Sequence, residues 1–372
     1  MRKNILFISP WYPNLNNPTL GNFIVRQAQL IAEDHFVFFI GFTPSRAIAK
    51  SFEFEIIEET NFSGIHFYYH SKGPLAPMHY FKMLLKAKEI VLAQSIHFDL
   101  IHGQIIHRSG FALNFFSSNF NIPAVSSEHW SGYTAERNQS LSFFEKFNLK
   151  FANKSVSKLL PVTQHLGESM RNRGVKLDCE TWYNVVDSEL FFHEESKDYD
   201  FIHLSTLDAN KRPLDILEAF YNVWKIHPTA RMSLGGDGNI DPLIEAKKRL
   251  NIPSKNLDIH SAIPYSEAAA RIRKSKCLVQ FSHFENLPCT ISEAMTAGLY
   301  IISSKVGGIN EVINEPGIGI CIDANQLEKL SQAMIDFISK KQVLESKSST
   351  LFHPTRLKKQ INSIYDELLI HN

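Results

Sequence analysis

Short apolar, often β-branched runs alternate with longer helical patterns through the first half of this chain, and the alternation starts afresh near residue 200. Residues 5–9, 37–41, 100–102, 124–127 and 159–163 read as strands, with helical patterns over 23–33 and 109–116 between them. The second series reads as strands at 201–205, 231–235, 257–260, 277–281 and 300–303. Its helices fall over 214–226, 242–250 and 290–297, with a last one from about 355 to 369. Such alternation builds βαβ units on a parallel sheet. Two series predict an α/β chain of two doubly wound, Rossmann-like domains facing across a cleft, with ligands bound at the carboxyl ends of the strands. The expected division is residues 1–185 and 186–350, with the final helix, about 355–370, packing back on the first domain. Residues 187–199 are polar, acidic and without periodicity, as a hinge or linker is.

The chain has 372 residues, 44% of them hydrophobic, enough for two cores. Lys and Arg number 39 against 38 Asp and Glu, which argues against a nucleic-acid partner held through its phosphates. The opening MRKNILFISPWYP carries an apolar run that Pro10 and Pro13 cut short, below the roughly 7 to 15 residues of a secretory core. No apolar stretch approaches the roughly 20 residues of a membrane helix. Cys179, Cys277, Cys289 and Cys321 form no CxxC pair and read as small buried hydrophobes of a reducing compartment. The expected location is cytoplasmic, and the Asn-x-Ser matches at Asn61, Asn138 and Asn153 read as chance.

The most informative segment is FENLPCTISEAMTAG, residues 284–298, which follows a buried strand. Pro288 suits the first turn of a helix, whose amides around 289–291 then form an anion site fit for phosphate. Glu293 lies a turn deeper, where a carboxylate can accept hydrogen bonds from a ribose diol, and Glu285 stands just before the helix, where it can hold sugar hydroxyls. The plainer reading of both is an exposed loop carboxylate and an ordinary first-turn glutamate. Lys211 and Arg212, between a strand and a helix, read as phosphate partners near the same crevice or as a solvated basic pair. Gly307-Gly308 and Gly235-Gly236-Asp237-Gly238 mark tight turns or close approaches of a ligand.

Taken in order, these motifs resemble the retaining glycosyltransferase family 4. The Glu285 to Glu293 pair with its EAMTAG continuation, the VGGINE of 306–311, Leu207 to Lys211 and the Gly-Asp-Gly of 236–238 carry the resemblance. So do Pro18-Thr19-Leu20-Gly21-Asn22-Phe23, Asp99 to His102, Ser127-Glu128-His129-Trp130 and Tyr183-Asn184-Val185-Val186-Asp187. The resemblance implies the GT-B fold, with a nucleotide-diphosphate sugar on the C-terminal domain and a glycan or lipid-linked acceptor on the N-terminal one. It assigns Glu293 to the ribose, Glu285 to the transferred sugar, and the backbone of Asn286, Leu287, Pro288, Cys289 and Thr290 to sugar and diphosphate. Lys211 neutralises the leaving diphosphate, Gly21 lets the first loop approach the donor phosphate, and His129 contacts the donor sugar near the reacting carbon. One departure stands out: where the family commonly has a phosphate-binding Arg, this chain reads Ser205-Thr206-Leu207, and Arg212 is the candidate substitute.

No metal or other cofactor is expected, because Asp198-Tyr199-Asp200 precedes a strand rather than following one. Two stretches, 78–90 and 141–160, read as basic amphipathic helices. Phe143, Phe144, Phe147 and Phe151 fall at helical spacing beside Lys146, Lys150, Lys154 and Lys158, which predicts either a core face or peripheral contact with the inner face of a membrane. The alternatives to a transferase are a nucleotide-sugar 2-epimerase of the same fold and a two-lobed sugar-binding protein.

Overall fold

The computed structural model describes residues 2–14, 17, 19–135, 137, 139–313, 317–339 and 349–370. Pro18 of the first-loop motif and Asn138 lie outside the described residues. The chain forms two compact units. The first comprises Met1–Tyr133, Asn138–Val185 and Leu357–Asn372, the second Thr134–Arg137 and Val186–Arg356.

The first unit runs β1 (Asn4–Ser9), α1 (Asn22–Ala32), β2 (Phe36–Ser45), β3 (Phe52–Glu58), β4 (Ser63–His70), α2 (Ala76–Ala93), β5 (Leu100–Gln104) and α3 (Ile106–Phe120). It continues with β6 (Ala124–Glu128), α4 (Phe143–Ser155), β7 (Val156–Pro161), α5 (Gln164–Asn172) and β8 (Asp178–Cys179). The strands form one sheet in the order β3-β4-β2-β1-β5-β6-β7-β8, parallel except for the β3–β4 pair. The order reverses between β1 and β5. Neighbouring residues of β1 point to opposite faces: Leu6 and Ile8 join the core under α2, α3 and α4, Ile5 and Phe7 the core under α1.

Two expectations change here. Residues 141–160 are not one helix, because α4 ends at Ser155 and the chain turns directly into β7. Lys158 therefore sits on a strand, ion-paired with Glu367 at 3.0 Å and Glu180 at 3.4 Å. Nor is the phenylalanine stripe of α4 a core face. Gly110 of α3 lies so close to α4 that an added Cβ would meet the Asn148 carbonyl oxygen at 2.1 Å. That approach puts Asn148 and Ala152 inward and leaves Phe143, Phe144 and Phe147 at 86%, 39% and 38% exposure. In α2, likewise, Tyr80, Met83, Leu84, Ala87 and Val91 are buried while Met78, Phe81, Leu85 and Leu92 are exposed.

The second unit runs β9 (Tyr199–Ser205), α6 (Pro213–Ile226), β10 (Met232–Gly236), α7 (Asp241–Arg249), β11 (Leu257–His260), α8 (Tyr265–Arg273) and β12 (Ser275–Gln280). Then come α9 (Cys289–Thr296), β13 (Tyr300–Ser304), α10 (Ile309–Val312), β14 (Gly319–Ile322) and α11 (Leu327–Ser339). Its sheet has the order β11-β10-β9-β12-β13-β14, parallel throughout, and reverses between β9 and β12. The final helix, α12 (Pro354–Ile370), joins the first unit from Leu357 onward. There Tyr365 meets His102 at 2.5 Å, and the Trp182 indole donates to the Leu357 carbonyl at 3.1 Å.

The segment expected as a polar linker is anchored to the second unit. Phe191 is fully buried, and Arg273 donates to the Leu190 carbonyl at 2.6 Å and pairs with Glu194.

Candidate functional site

A doubly wound sheet opens where its strand order reverses, because the connections leave to opposite sides. In the second unit the loops at that point follow β9 and β12, and they are knitted together. The Asn210 amide donates to the Phe284 carbonyl at 3.1 Å and accepts from the Phe284 N–H at 3.0 Å; its own carbonyl accepts from His283 at 2.9 Å. Asp208 turns the first loop by accepting from the N–H groups of Asn210 and Lys211. The result brings Lys211 against Glu285 as an ion pair, with side chains 17% and 11% exposed. The Gln280 amide stands 3.5 Å from the same carboxylate oxygen.

Helix α9 follows at once. Pro288 is its N-cap, in extended conformation, rather than the first helical residue. A proline has no side-chain oxygen to cap with, so no side chain of the N-cap covers the positive end of the helix. Cys289 and Thr290 are half-buried there, Asn286 and Leu287 are buried, and the Asn286 carbonyl accepts from Gly308 N–H at 2.8 Å. Glu293, almost fully buried one turn in, accepts from the Tyr265 hydroxyl at 2.7 Å. The Gly-Gly turn serves this loop: at Gly307, with φ +55°, an added Cβ would meet the Glu285 carbonyl oxygen at 1.9 Å.

The Arg212 guanidinium is engaged by protein groups in this arrangement. As the N-cap of α6 the residue takes a left-handed conformation, φ 51°. That turns its guanidinium onto the Phe281 ring at 4.4 Å, where it binds Asp215 at 2.5 Å and the Ala324 carbonyl. The Asp-Tyr-Asp triplet is also occupied, Asp198 with Lys274 at 3.3 Å and Asp200 with Lys276 at 2.8 Å. Among the described residues no three His, Cys, Asp or Glu side chains are grouped to hold a metal ion.

The first unit carries a different polar cluster beside its own reversal. His129, just past β6, is buried; its Nε2 donates to the Gln104 side-chain oxygen at 3.0 Å and its ring packs on Phe23 at 4.7 Å. Gln104 donates to Gln27, and Gln27 to Asn184, each at 3.1 Å. Burial pushes His129 down to about 3, so the imidazole is neutral. Glu128 accepts backbone N–H groups of His129 and Trp130 at 2.9 Å and of Ile106 at 3.0 Å, fixing both loops. Burial raises it to about 7 against the pull of those three donors. Beside it Ile105 has φ 57°, a strained conformation for a β-branched residue. Gly21 caps α1 at φ 74°, with the Trp11 backbone 3.0 Å from where a Cβ would stand.

From the sequence, Gln104 and Gln27 were missed, and Glu128 stood in a motif without a role of its own. A signal existed for the glutamines, which are polar residues in the apolar phase of a strand and a helix. His102, by contrast, is a structural bridge, bonded to Tyr365 and to Ser127 at 2.8 Å.

Two family models divide this chain between them. The model "Glycosyltransferase Family 4" matches residues 22–190, and "Glycosyl transferases group 1" matches 187–349. The chain belongs to these glycosyltransferases. A curated relative, an uncharacterised glycosyltransferase of Methanocaldococcus jannaschii, is 23% identical over 265 residues, 69% of each chain. Sucrose-phosphate synthase from Thermosynechococcus elongatus superposes with a TM-score of 0.75 at 18% identity, covering 100% of both chains. Anabaena HepE, solved in complex with UDP and glucose, gives 0.70 at 16% identity, covering 98% of this chain and 100% of its own. These likenesses show the GT-B fold of this glycosyltransferase, two Rossmann-like domains in tandem.

Proposed function

We propose that this glycosyltransferase moves a sugar from a nucleotide-diphosphate sugar to a glycan or lipid-linked acceptor, with retention of configuration, in assembly of a surface polysaccharide or glycolipid. The second unit holds the donor and the first receives the acceptor. One observation carries the reading: Lys211 and Glu285 are paired at the reversal of the second sheet, beside the amino end of α9, with Glu293 one turn in. Leaving-group departure needs the charge growing on the diphosphate stabilised, and a lysine with a helix amino end offers that without a divalent ion. In this reading the ion pair opens on binding, Lys211 turning to the diphosphate and Glu285 to the sugar hydroxyls. Glu293 holds the ribose, and the backbone of 286–290 the sugar and phosphates. Gly21 and the neutral His129 keep, as part of this proposal, the donor roles that the family resemblance gives them. HepE, of the same fold, binds UDP and glucose.

The test is thermal unfolding with UDP, GDP and ADP, with and without EDTA, beside Glu293→Ala. A diphosphate at about a hundred times its Kd adds roughly 2.7 kcal/mol. Stabilisation by one of them, indifferent to EDTA and lost in the variant, is expected; no response to any diphosphate removes the donor reading. Incubation without acceptor then separates transfer from epimerisation, which alone converts the donor unaided.

Membrane contact belongs to the same proposal. No described helix is long and apolar enough to cross a membrane. The outward faces of α2 and α4, however, present Met78, Phe81, Leu85, Phe143, Phe144 and Phe147 among lysines, a pattern suited to an anionic lipid surface. Co-sedimentation with anionic but not zwitterionic vesicles, lost in Phe143→Ser with Phe147→Ser, is expected; failure to bind either vesicle removes this part.

A further inference from the structure

We infer that Tyr265 is a positioning residue for nucleotide recognition, its hydroxyl holding Glu293 in the one orientation that meets the ribose diol. This rests on the donor reading above and extends it to a residue outside the α9 segment. The Tyr265 hydroxyl donates to Glu293 Oε1 at 2.7 Å, joining the first residue of α8 to the first turns of α9. Both ends of that bond are fixed. Glu293 is buried, at 5% exposure. The tyrosine ring packs edge-on against Phe191 at 5.5 Å, and Phe191 is fully buried. Phe191 is itself held in place, because Asp187 accepts from the N–H groups of Glu189 and Leu190, and Arg273 ties down the Leu190 carbonyl and Glu194.

The consequence follows from carboxylate chemistry. The terminal torsion of a glutamate is broad, so a carboxylate without a partner samples many orientations of its oxygens. A phenol donating to an ionised oxygen makes a short, charge-assisted bond and selects one. A carboxylate has two oxygens with two lone pairs each, so one group can serve a phenol and a ribose hydroxyl together. The tyrosine therefore stabilises the binding-competent carboxylate before the nucleotide arrives, and it acts through Glu293 rather than on the reacting atoms.

The discriminating experiment compares affinities for a ribonucleoside diphosphate and its 2′-deoxy counterpart, using whichever of UDP, GDP or ADP stabilises the protein. Tyr265→Phe keeps the ring and its contact with Phe191 while removing only the hydroxyl, so the fold is retained. Glu293→Gln is the reference. Tyr265→Phe is expected to weaken ribonucleotide binding about tenfold. It is also expected to shrink the ribo-over-deoxy preference toward that of Glu293→Gln and to raise KM for the donor with kcat within about twofold. If Glu293→Gln loses the preference and Tyr265→Phe retains it in full, the positioning role is overturned while the donor site stands. If the wild type shows no preference, or Glu293→Gln leaves it intact, the ribose role of Glu293 fails and the inference with it.

Discussion

Beside the reversal of the first sheet, His129, Gln104, Gln27 and Asn184 are joined in a buried chain of neutral hydrogen bonds, whereas at the reversal of the second, Lys211 and Glu285 meet as an ion pair that still touches solvent. The first arrangement is held by hydrogen bonds inside the protein, and breaking them leaves desolvated groups behind. The second holds two charges that an incoming diphosphate and sugar can each recruit, each new partner replacing the one given up. The same topology thus yields one neutral cluster held by internal hydrogen bonds and one charged pair that can exchange partners with a ligand.

That contrast is sharpened first by Lys211→Ala. It is expected to lower kcat/KM by about a thousandfold, the scale of a lost transition-state charge partner, in protein that still folds. A variant that unfolds early while its folded fraction stays active would place Lys211 with the structural cluster instead. His102→Ala should do the reverse. It removes a buried ring from between Tyr365 and Ser127 and is expected to cost about 3 kcal/mol of stability with nucleotide affinity unchanged. Calorimetry with and without the diphosphate separates the two outcomes.

Acid separates the two units more gently. Burial holds His102, His107 and His129 of the first unit at about 3 and His66 at about 4. In the second unit burial pulls His203 down to about 4 and His260 below its usual range. A histidine lowered in the folded chain binds fewer protons than when unfolded. The stability it supports is full above about 6.5 and is lost as pH falls through the folded value. Glu128, raised to about 7, works in the opposite direction, its burial penalty easing as pH drops from 7 toward 4.5, and it offsets part of the loss. The first unit should therefore weaken before the second between pH 6.5 and 4, read as earlier loss of amide protection in β5 and β6 than in β9 and β12. Equal loss in both would break the contrast. Arg212→Ala gives the smallest effect, a shift of about 1 kcal/mol in stability without change in diphosphate affinity.

The restarted strand and helix series was legible from the apolar runs, because buried parallel strands are short and β-branched and the helices between them are periodic. The Glu285 to Glu293 spacing was legible too, since a helix start fixes where both residues stand. Other features depend on neighbours that a single chain segment does not reveal. The period of α4 announced a helix, but only the close packing of Gly110 on Asn148 decides that its phenylalanines face outward. Arg212 read as a site cation, but its left-handed backbone and its stacking on Phe281 were not legible. The β3–β4 hairpin was missed although Phe52-Glu53-Phe54-Glu55 alternates with period two, as an edge strand does.

Hydrogen–deuterium exchange with and without the stabilising diphosphate tests the central claim most directly. Protection is expected in the loop after β9, residues 206–212, and in 284–297 with the start of α8. Protection confined to the first unit, or a bound diphosphate that leaves both segments of the second unit unchanged, would contradict it.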